Sequence, residues 1–568
     1  MMKSARGFGA SVRNMMGMST REHFSSGIDY GIEPPEDIKV LVCTANMGNA
    51  EPTFESLKEW IPFNGSIRNV MDAQNELDDD NAPAVAAKTA TPSSVKQEER
   101  PASPNPTSSY DVIAIGMQEA TWGNGDTKML SQMLTKQLPS YKEVLNFQRG
   151  QMRLYVFVKS ELSRLVYGVD INAENTGIGG VMWNKGGIIA TLTLFRTRIS
   201  FLTAHLQAHE GHDNYDRRNS SLKEILNGAK VGEGRSYKYD ASVLSHYMFV
   251  MGDLNYRTVL PHDICMSTED KEKHHEEHVR RTIEMVEEKK WDELYSCDEL
   301  CMALANKECL IGFQTPPCNF NPTFKMERTE GYVYKDQRTP SYTDRILWKT
   351  AKGFEDNIET VAYHPCPRFI TSDHKPIRGA FNLKPAMVYV NPRRSFKASS
   401  KNSSAMSRRD VFRRGKFGKS SVTIRLSDMK AQDLPAMDPN GKADPYVLLI
   451  LNPKELYEKP RATARGFFKK VWPRSKTINF NRNPDWGEEA LELVMDKKTP
   501  EELYGAMLLI TVIDFDLASE DDLIGTIQIN LAELLGPVVK KHSFHLKETL
   551  VKNGKERGTF ECTLSISM

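Results

Sequence analysis

Asp253 and Asn255 stand two residues apart in the run Met251-Gly252-Asp253-Leu254-Asn255. The apolar stretch Tyr247-Met248-Phe249-Val250-Met251 leads into them and reads as a buried strand. At a strand's end, a spacing of two puts both side chains on one face. A carboxylate beside a carboxamide there suits a hydrolytic site. One orients or deprotonates a water, and the other donates to developing negative charge. The same Gly-Asp-x-Asn run also fits an ordinary turn, so the chemistry needs partners elsewhere in the chain.

Four further motifs supply such partners. Met117-Gln118-Glu119 and Ala204-His205-Leu206-Gln207-Ala208-His209 each follow an apolar run. Arg338-Thr339-Pro340-Ser341-Tyr342-Thr343-Asp344-Arg345 feeds an apolar strand, and Thr371-Ser372-Asp373-His374-Lys375-Pro376 comes last. In this order and at these separations, the five motifs resemble those of the inositol polyphosphate 5-phosphatases, a branch of the endonuclease/exonuclease/phosphatase superfamily. The resemblance runs from about Asp37 to Lys384.

A phosphomonoester carries close to two negative charges, so its hydrolysis needs charge neutralisation and an aligned water. The resemblance implies that Glu119 is the principal Mg2+ ligand, with Asn46 and Asp373 beside it. Carboxylate oxygen is what a hard cation prefers. It further implies that Asp253 orients and deprotonates the water and that Asn255 donates to the phosphoryl oxygens. His205 and His374 would contact the scissile phosphate, and Asp344 would fix the tautomer of His374 and stabilise its imidazolium. Lys325 and Arg338 fall where the family binds a 4-phosphate. His209, Arg218 and Asn219 are carried over as further substrate-side residues. Ala45 and Val250 stand where the family usually has Trp, which affects packing only. Asp336 replaces a lysine of the family's Lys-x-Arg, with Lys335 one place off. The 4-phosphate pocket is therefore expected to be weakened or rebuilt.

These residues need strands to carry them. Ile38–Thr44, Tyr110–Gly116 and Ile199–Thr203 read as such, each ending near a candidate site residue, and Leu154–Val158 and Gly186–Leu194 read as further strands. Thr127–Leu138 has an amphipathic helical pattern, as does 269–306, whose Lys- and Glu-rich face reads as solvated. His274, His275 and His278 fall on that face and are expected to be solvated. The resemblance implies an α+β catalytic domain, a four-layer sandwich of two mainly antiparallel sheets with outer helices, over 37–385. Residues 73–109 hold Asp78-Asp79-Asp80 and five prolines among small polar residues. They offer too little apolar surface to offset ordering, so a disordered insertion is expected.

A chain of 568 residues exceeds one ordinary core. Its 39% hydrophobic and 26% charged content is that of a soluble protein. No stretch approaches ~20 apolar residues, so no membrane span is expected. Residues 1–36 lack an apolar signal core and read as a disordered leader. The eight cysteines are scattered and read as reduced thiols of a cytosolic protein. The net charge of +1 conceals a basic linker, 386–419, in which Arg393–Lys419 carries +9, leaving −8 for the remainder. A nucleic-acid enzyme is not expected to place its positive charge this way; an anionic membrane surface suits it better.

From Ser420 to Met568 the chain resembles a C2 domain, an eight-stranded β-sandwich. In that resemblance Asp438, Asp444, Asp514, Asp516 and Asp522 are Ca2+ ligands. Lys454–Lys476 adds basic residues suited to phosphoinositide headgroups. The whole reads as a monomeric, Mg2+-dependent phosphoinositide 5-phosphatase, cytoplasmic and peripherally membrane-associated through a Ca2+-binding C2 domain. A same-fold nuclease or sphingomyelinase, or a lipid-binding adaptor without activity, are the alternatives. The Arg338–Leu347 motif with Lys325 argues against the former, and the intact Asn46, Glu119, Asp253, Asn255, Asp344, Asp373 and His374 set against the latter.

Overall fold

Nine successive residues, Ile38–Asn46, are almost wholly buried in the computed structural model, which explains their near-continuous apolarity. The structure describes residues 34–81, 108–120, 127–176, 184–232, 238–261, 271–386, 420–452, 461–463, 466–468, 472–498, 503, 505–517, 520–531 and 541–567. In chain order the strands before the basic linker are β1 (Ile38–Asn46), β2 (Val112–Gln118), β3 (Tyr141–Arg149), β4 (Met152–Lys159), β5 (Tyr167–Asn175), β6 (Gly186–Leu194), β7 (Thr197–His205), β8 (Tyr247–Asp253), β9 (Asp344–Thr350), β10 (Ile358–Pro365) and β11 (Ile377–Leu383). The helices used below are α1 (Phe54–Trp60), α2 (Ile67–Asn81), α3 (Thr127–Gln137), α4 (His212–Gly228), α5 (Ala241–Leu244), α6 (Lys271–Glu287), α7 (Trp291–Ser296) and α8 (Glu299–Ala305).

The strands form a six-stranded sheet, β10-β11-β1-β2-β4-β3, and a five-stranded sheet, β5-β6-β7-β8-β9. Only β1–β2 and β7–β8 run parallel. Phe249 joins the facing surfaces, its ring 5.7 Å from Phe201 and 4.9 Å from Phe381. Outside the first sheet, Trp60, Leu130 and Leu134 of α1 and α3 cover Ile113, Ile115 and Phe157. Outside the second, Leu222, Ile225 and Leu300 of α4 and α8 cover Leu202 and Val250. Helices, sheet, sheet and helices make four layers, the fold class expected from the sequence.

Several expectations change in detail. Helix α2 runs to Asn81, because Ile67, Val70 and Met71 pack on the first core; the insertion expected from 73 therefore begins later. Residues 1–33, 82–107 and 387–419, which hold most of the leader, the insertion and the basic linker, lie outside the described residues. The single helical stretch 269–306 is three helices, α6, α7 and α8. His278 is not solvated: Leu260 N–H donates to its Nε2 at 3.0 Å, and its Nδ1 lies 3.1 Å from Thr339 Oγ1. It ties α6 to the Arg338–Arg345 motif. Seven cysteines are described, all as free thiols.

Beyond the linker the strands are β12 (Ser420–Gln432), β13 (Pro445–Asn452), β14 (Arg461–Thr463), β15 (Gly466–Phe468), β16 (Leu491–Lys498), β17 (Met507–Asp514), β18 (Asp522–Asn530), β19 (Lys541–Lys552) and β20 (Lys555–Ser567). Seven join in the order β13-β17-β18-β19-β20-β12-β16, and β14-β15 is a separate hairpin. Much of the basic surface expected over 454–476 lies outside the described residues. Residues 34–568 form one compact unit. Tyr239 and Thr511 share a buried hydroxyl contact of 2.7 Å, and Asn553 N–H donates to Asp240 at 2.9 Å. The all-β part is thus seated on the segment between α4 and β8.

Candidate active site

Strand register lines up the chemistry at one end of the second sheet. Gly186 of β6 pairs with His205 of β7, His205 with Asp253 of β8, and Asp253 with Asp344 of β9. Gly252 makes the row close: a Cβ there would lie 2.0 Å from the Ala204 carbonyl, and its φ is +143°. Asp253 is buried, and Asn46 at the end of β1 donates Nδ2 to its Oδ2 at 2.8 Å. That bond joins the ends of the two sheets. Asn46 Oδ1 is held by Gly48 N–H at 2.9 Å. Asn255 takes a left-handed backbone (φ +57°), its N–H donates to Asp253 Oδ1 at 3.1 Å, and its Nδ2 donates to the Leu206 carbonyl at 3.2 Å.

His374 faces this row from the loop before β11. Its Nδ1 is 2.9 Å from Asp344 Oδ2, which also accepts from Thr323 at 2.8 Å and Thr343 at 3.0 Å. Asp253, Asp344 and His374 have ligand atoms within 4.8 Å of one another. Burial favours neutral His374, but the touching Asp344 carboxylate outweighs it and pushes the imidazole up to about 9, with Asp253 and Asp373 adding to the effect. Asp253 is held well below the usual carboxylate range. Burial opposes this, but the His205 hydrogen bond and the charges of His374 and Lys185 prevail. His205 is pushed down by burial and by Lys185. The result is an ionised carboxylate, a protonated imidazole and a neutral one in a single buried cluster.

Glu119 follows β2 in a left-handed conformation (φ +49°), partly exposed. Asn49 donates to its Oε2 at 3.2 Å, and its Oε1 is 3.7 Å from His205 Nε2. Asp373 turns to Lys325, 4.0 Å away, rather than joining the other acids. Arg338 Nη2 lies 3.4 Å from His209 Nδ1; burial and the cations Arg338, Arg257 and Lys185 push that imidazole down.

Residues 46–380, more than half of the chain, match endonuclease/exonuclease/phosphatase family 2. The chain belongs to that family. Residues 422–546 match the C2 domain. Among curated relatives, a phosphatidylinositol 3,4,5-trisphosphate 5-phosphatase 2B of Danio rerio is 26% identical over 285 residues, 48% of this chain and 22% of its own. A polyphosphatidylinositol phosphatase of Saccharomyces cerevisiae is 29% identical over 306 residues, 50% of this chain and 25% of its own. A phosphatidylinositol 3,4,5-trisphosphate 5-phosphatase 1 of Xenopus laevis is 26% identical over 377 residues, 64% and 32%. The chain thus spans about a fifth to a third of these relatives' length. Among solved structures, the inositol polyphosphate 5-phosphatase domain of a synaptojanin with inositol (1,4)-bisphosphate and calcium aligns at 19% identity and TM-score 0.44, over 61% of this chain and 84% of that one.

Two residues carried over by resemblance to this endonuclease/exonuclease/phosphatase family do not reach the site. Arg218 is fully buried. Its guanidinium donates to the carbonyls of Gln207 at 3.1 Å and His209 at 2.9 Å and pairs with Glu299 at 2.5 Å. Asn219 is buried beside it, donating to Glu308 at 3.0 Å and accepting from Tyr256 at 2.6 Å. They hold the His209 loop from behind instead of meeting a substrate. Arg345 is likewise internal, paired with Asp298 at 2.5 Å.

Two cations escaped the sequence reading. Arg257 is buried, donates Nη2 to Asn255 Oδ1 at 2.5 Å, and lies 5.0 Å over Phe324, whose ring sits 4.4 Å from His374. It fixes which way the Asn255 carboxamide points. Lys185 lies just before β6, its Nζ 2.5 Å from His205 Nε2. Nothing local in Asn184-Lys185-Gly186 signals that position.

In the C2 part, Asp438, Asp514 and Asp516 have carboxylate oxygens within 4.8 Å of one another. Asp514 Oδ1 accepts from Asp444 N–H at 2.6 Å, and Asp444 Oδ1 from Phe480 N–H at 2.6 Å. Burial, then the charges of Asp438, Asp516 and Asp444, push Asp514 up to about 6 against the Asp444 hydrogen bond. Asp438 Oδ2 is buried without a hydrogen-bond partner. Asp522 does not join this group, contrary to expectation. Its carboxylate is 3.1 Å from Lys238 Nζ, across the contact with the first domain. Leu517 is 94% exposed at the loop tip, whereas Phe515 lies under Arg474, 5.6 Å away.

Proposed function

We propose that this chain hydrolyses the 5-phosphate of phosphoinositides, phosphatidylinositol 4,5-bisphosphate or 3,4,5-trisphosphate, at an anionic membrane surface. The supporting observation is the opposed protonation of adjoining pairs: ionised Asp253 on Asn46, and protonated His374 on Asp344. Groups driven apart in this way divide acid and base work. The names of the relatives supply the substrate class. No helix among the described residues is long and apolar enough to cross a membrane, and membrane contact is assigned to the C2 loops.

The oxygen donors fit a hard divalent cation. Glu119 offers a partly exposed carboxylate, and Asn46 Oδ1 lies at the adjoining strand end. These two would hold Mg2+, which when bound supplies Lewis-acid neutralisation of phosphoryl charge. Asp253, locked by Asn46, orients the attacking water. So acidic a carboxylate is a weak base, so alignment and charge are its larger contribution. His374 presents a proton to the phosphoryl or leaving oxygen, and Asp344 keeps that proton available. Asn255 donates from a carboxamide set by Arg257. Lys325 and Arg338 meet the 4-phosphate. At the C2 loops Asp438, Asp444, Asp514 and Asp516 would hold Ca2+, which relieves the repulsion among them.

Phosphate release from a panel of phosphoinositides and soluble inositol phosphates, with and without Mg2+, tests the reading. Release from none of them with Mg2+ present overturns it.

Two further results are expected. Activity should hold through neutral pH and fall as His374 loses its proton near 9. The stability contributed by the raised imidazole is complete below its ordinary value of 6.5 and disappears as pH rises through about 9. Asp344→Asn removes the charge that raises it, so the basic limb of the pH–rate profile should move down by more than one unit, on the order of the shift it removes. An unmoved limb would assign it to another group. Asp336 is exposed, and Lys335 pairs with Glu327 at 3.4 Å. Asp336→Lys should therefore raise kcat/KM for substrates bearing a 4-phosphate by up to about fivefold, the ceiling for an exposed charge pair. Unchanged ratios between substrates with and without that phosphate would place Asp336 away from the substrate.

A further inference from the structure

Arg557 of β20 is a half-buried guanidinium that the C2 part leaves without an acid. Its Nε is buried and has no partner, and its Nη2 meets the Met437 thioether, 3.6 Å away, which is a weak acceptor. Among the described residues it forms no ion pair with a carboxylate. Burial pushes it down, and no neighbouring charge pulls it back. A cation taken partly out of water in this way costs free energy until an anion answers it.

Strand geometry brings it there. Between the pairs Thr549–Thr559 and Val551–Glu556, Arg557 and Gly558 of β20 oppose the single residue Leu550 of β19. Such a bulge re-aims a side chain out of the ladder, and Gly558 takes the positive φ it needs, +95°. A Cβ on Gly525 of β18 would lie 2.9 Å from Leu550 Cβ and 3.4 Å from Arg557 Cβ, so the bare glycine makes room. Arg557 then reaches Met437, next to Asp438. Lys552, two residues along β19 from Leu550, donates Nζ to the Leu523 carbonyl at 2.6 Å, next to Asp522. Burial and the charge of Arg557 push Lys552 down, with Asp522 opposing. Asp522 is already engaged by Lys238, at 3.1 Å. Arg557 and Lys552 are therefore two neighbouring cations with no carboxylate of their own.

We infer that Arg557 and Lys552 form a binding site for a phosphomonoester at the root of the acidic C2 loops, separate from the active site. The two terminal nitrogens of Arg557 present a fork that suits two oxygens of one phosphate, and the thioether is easily given up for them. Lys552 keeps two further hydrogens for the third oxygen. The joint charge of the pair matches a phosphomonoester, which carries close to two negative charges, better than it matches a carboxylate or a phosphodiester with one. A lipid headgroup and a soluble inositol phosphate offer that same group.

The test uses the full chain with 15N-labelled arginine. The side-chain signal missing from Arg557→Met belongs to Arg557, and Arg557→Lys identifies it equally if the Met variant does not fold. Glycerol 3-phosphate should shift that signal saturably, and glycerophosphocholine, a diester, should need about ten times the concentration, the difference one charge-assisted hydrogen bond makes. Vesicles of phosphatidylcholine with phosphatidylinositol 4-phosphate, at fixed Ca2+, should bind Arg557→Met about tenfold more weakly than wild type. Arg557→Lys should recover part of that loss. Vesicles with phosphatidylserine at equal surface charge should lose no more than about twofold, the effect of one exposed charge. A signal that glycerol 3-phosphate leaves in place overturns the inference. Equal weakening on both kinds of vesicle overturns it too, by making Arg557 a general surface charge. A shifted signal with a tenfold loss on phosphatidylinositol 4-phosphate alone assigns the site to lipid. A shifted signal with vesicle binding within about twofold of wild type assigns it to a soluble phosphate ester. The arginine signal depends on no hydrolysis, so it decides the site whatever the active site does.

Discussion

Asp253→Asn should lower turnover by at least ~10², the range for losing a positioned base, with the substrate KM nearly unchanged. The variant keeps the shape of the side chain and loses its charge. Asn46 Nδ2 then faces a carboxamide in place of a carboxylate, and His374 and His205 lose the anion that faces them. Water alignment and charge balance fail together, which is why the expected loss is large. Stability should change as well. A carboxylate with a depressed folded value contributes stability above its unfolded value, lost as pH falls through the folded one. The variant should therefore be less stable than wild type at neutral pH, with the gap closing in acid. Unfolding midpoints at pH 7 and pH 3 measure this. Near-wild-type turnover by the purified variant would remove Asp253 from the mechanism.

Ca2+ should switch membrane binding on, and Asp514→Asn/Asp516→Asn should abolish the switch. Asp438, Asp514 and Asp516 crowd like charges together, and Asp514 is already pushed up to about 6. Without a cation such a loop repels an acidic surface; with one, its local charge reverses and headgroup phosphate completes the coordination. Leu517, at the exposed tip, then meets the interface. Tethering holds the enzyme at high effective concentration over its lipid. Activity on vesicles should rise on the order of 10²-fold with Ca2+ at fixed Mg2+, while activity on a soluble headgroup stays level. Asp522→Asn should leave this dependence largely intact, because Asp522 is engaged by Lys238. Equal stimulation of both substrates would point to a catalytic effect of Ca2+. Vesicle binding indifferent to Ca2+ would deny the loops any such function.

The catalytic motifs were legible because each is short and locally encoded. An apolar strand followed by Asp-x-Asn, or by Gln-Glu, announces both the strand and the polar groups at its end. Asp253, Glu119 and His205 were found that way, Asp344 in a motif that feeds a strand and His374 in the last motif, and the structure gathers them around neighbouring strand ends. The same local logic placed Arg218 and Asn219 with the substrate. Their burial depends on Glu299 and Glu308, some eighty residues on, and no local pattern contains that. Asp522 fits its motif in spacing, yet its carboxylate turns to Lys238, a partner far earlier in the chain.

The amino-acid sequence by itself determined the residue types at the strand ends, the α+β and all-β halves, and the phosphate chemistry those types suit. The tertiary structure decided which groups share a hydrogen bond and in which protonation state. Gly186, which follows Lys185, and His205, Asp253 and Asp344 come from four strands whose register alone puts them in one row. Strand register is a global outcome of packing two sheets face to face, and the charge on each group follows from neighbours that only this packing supplies.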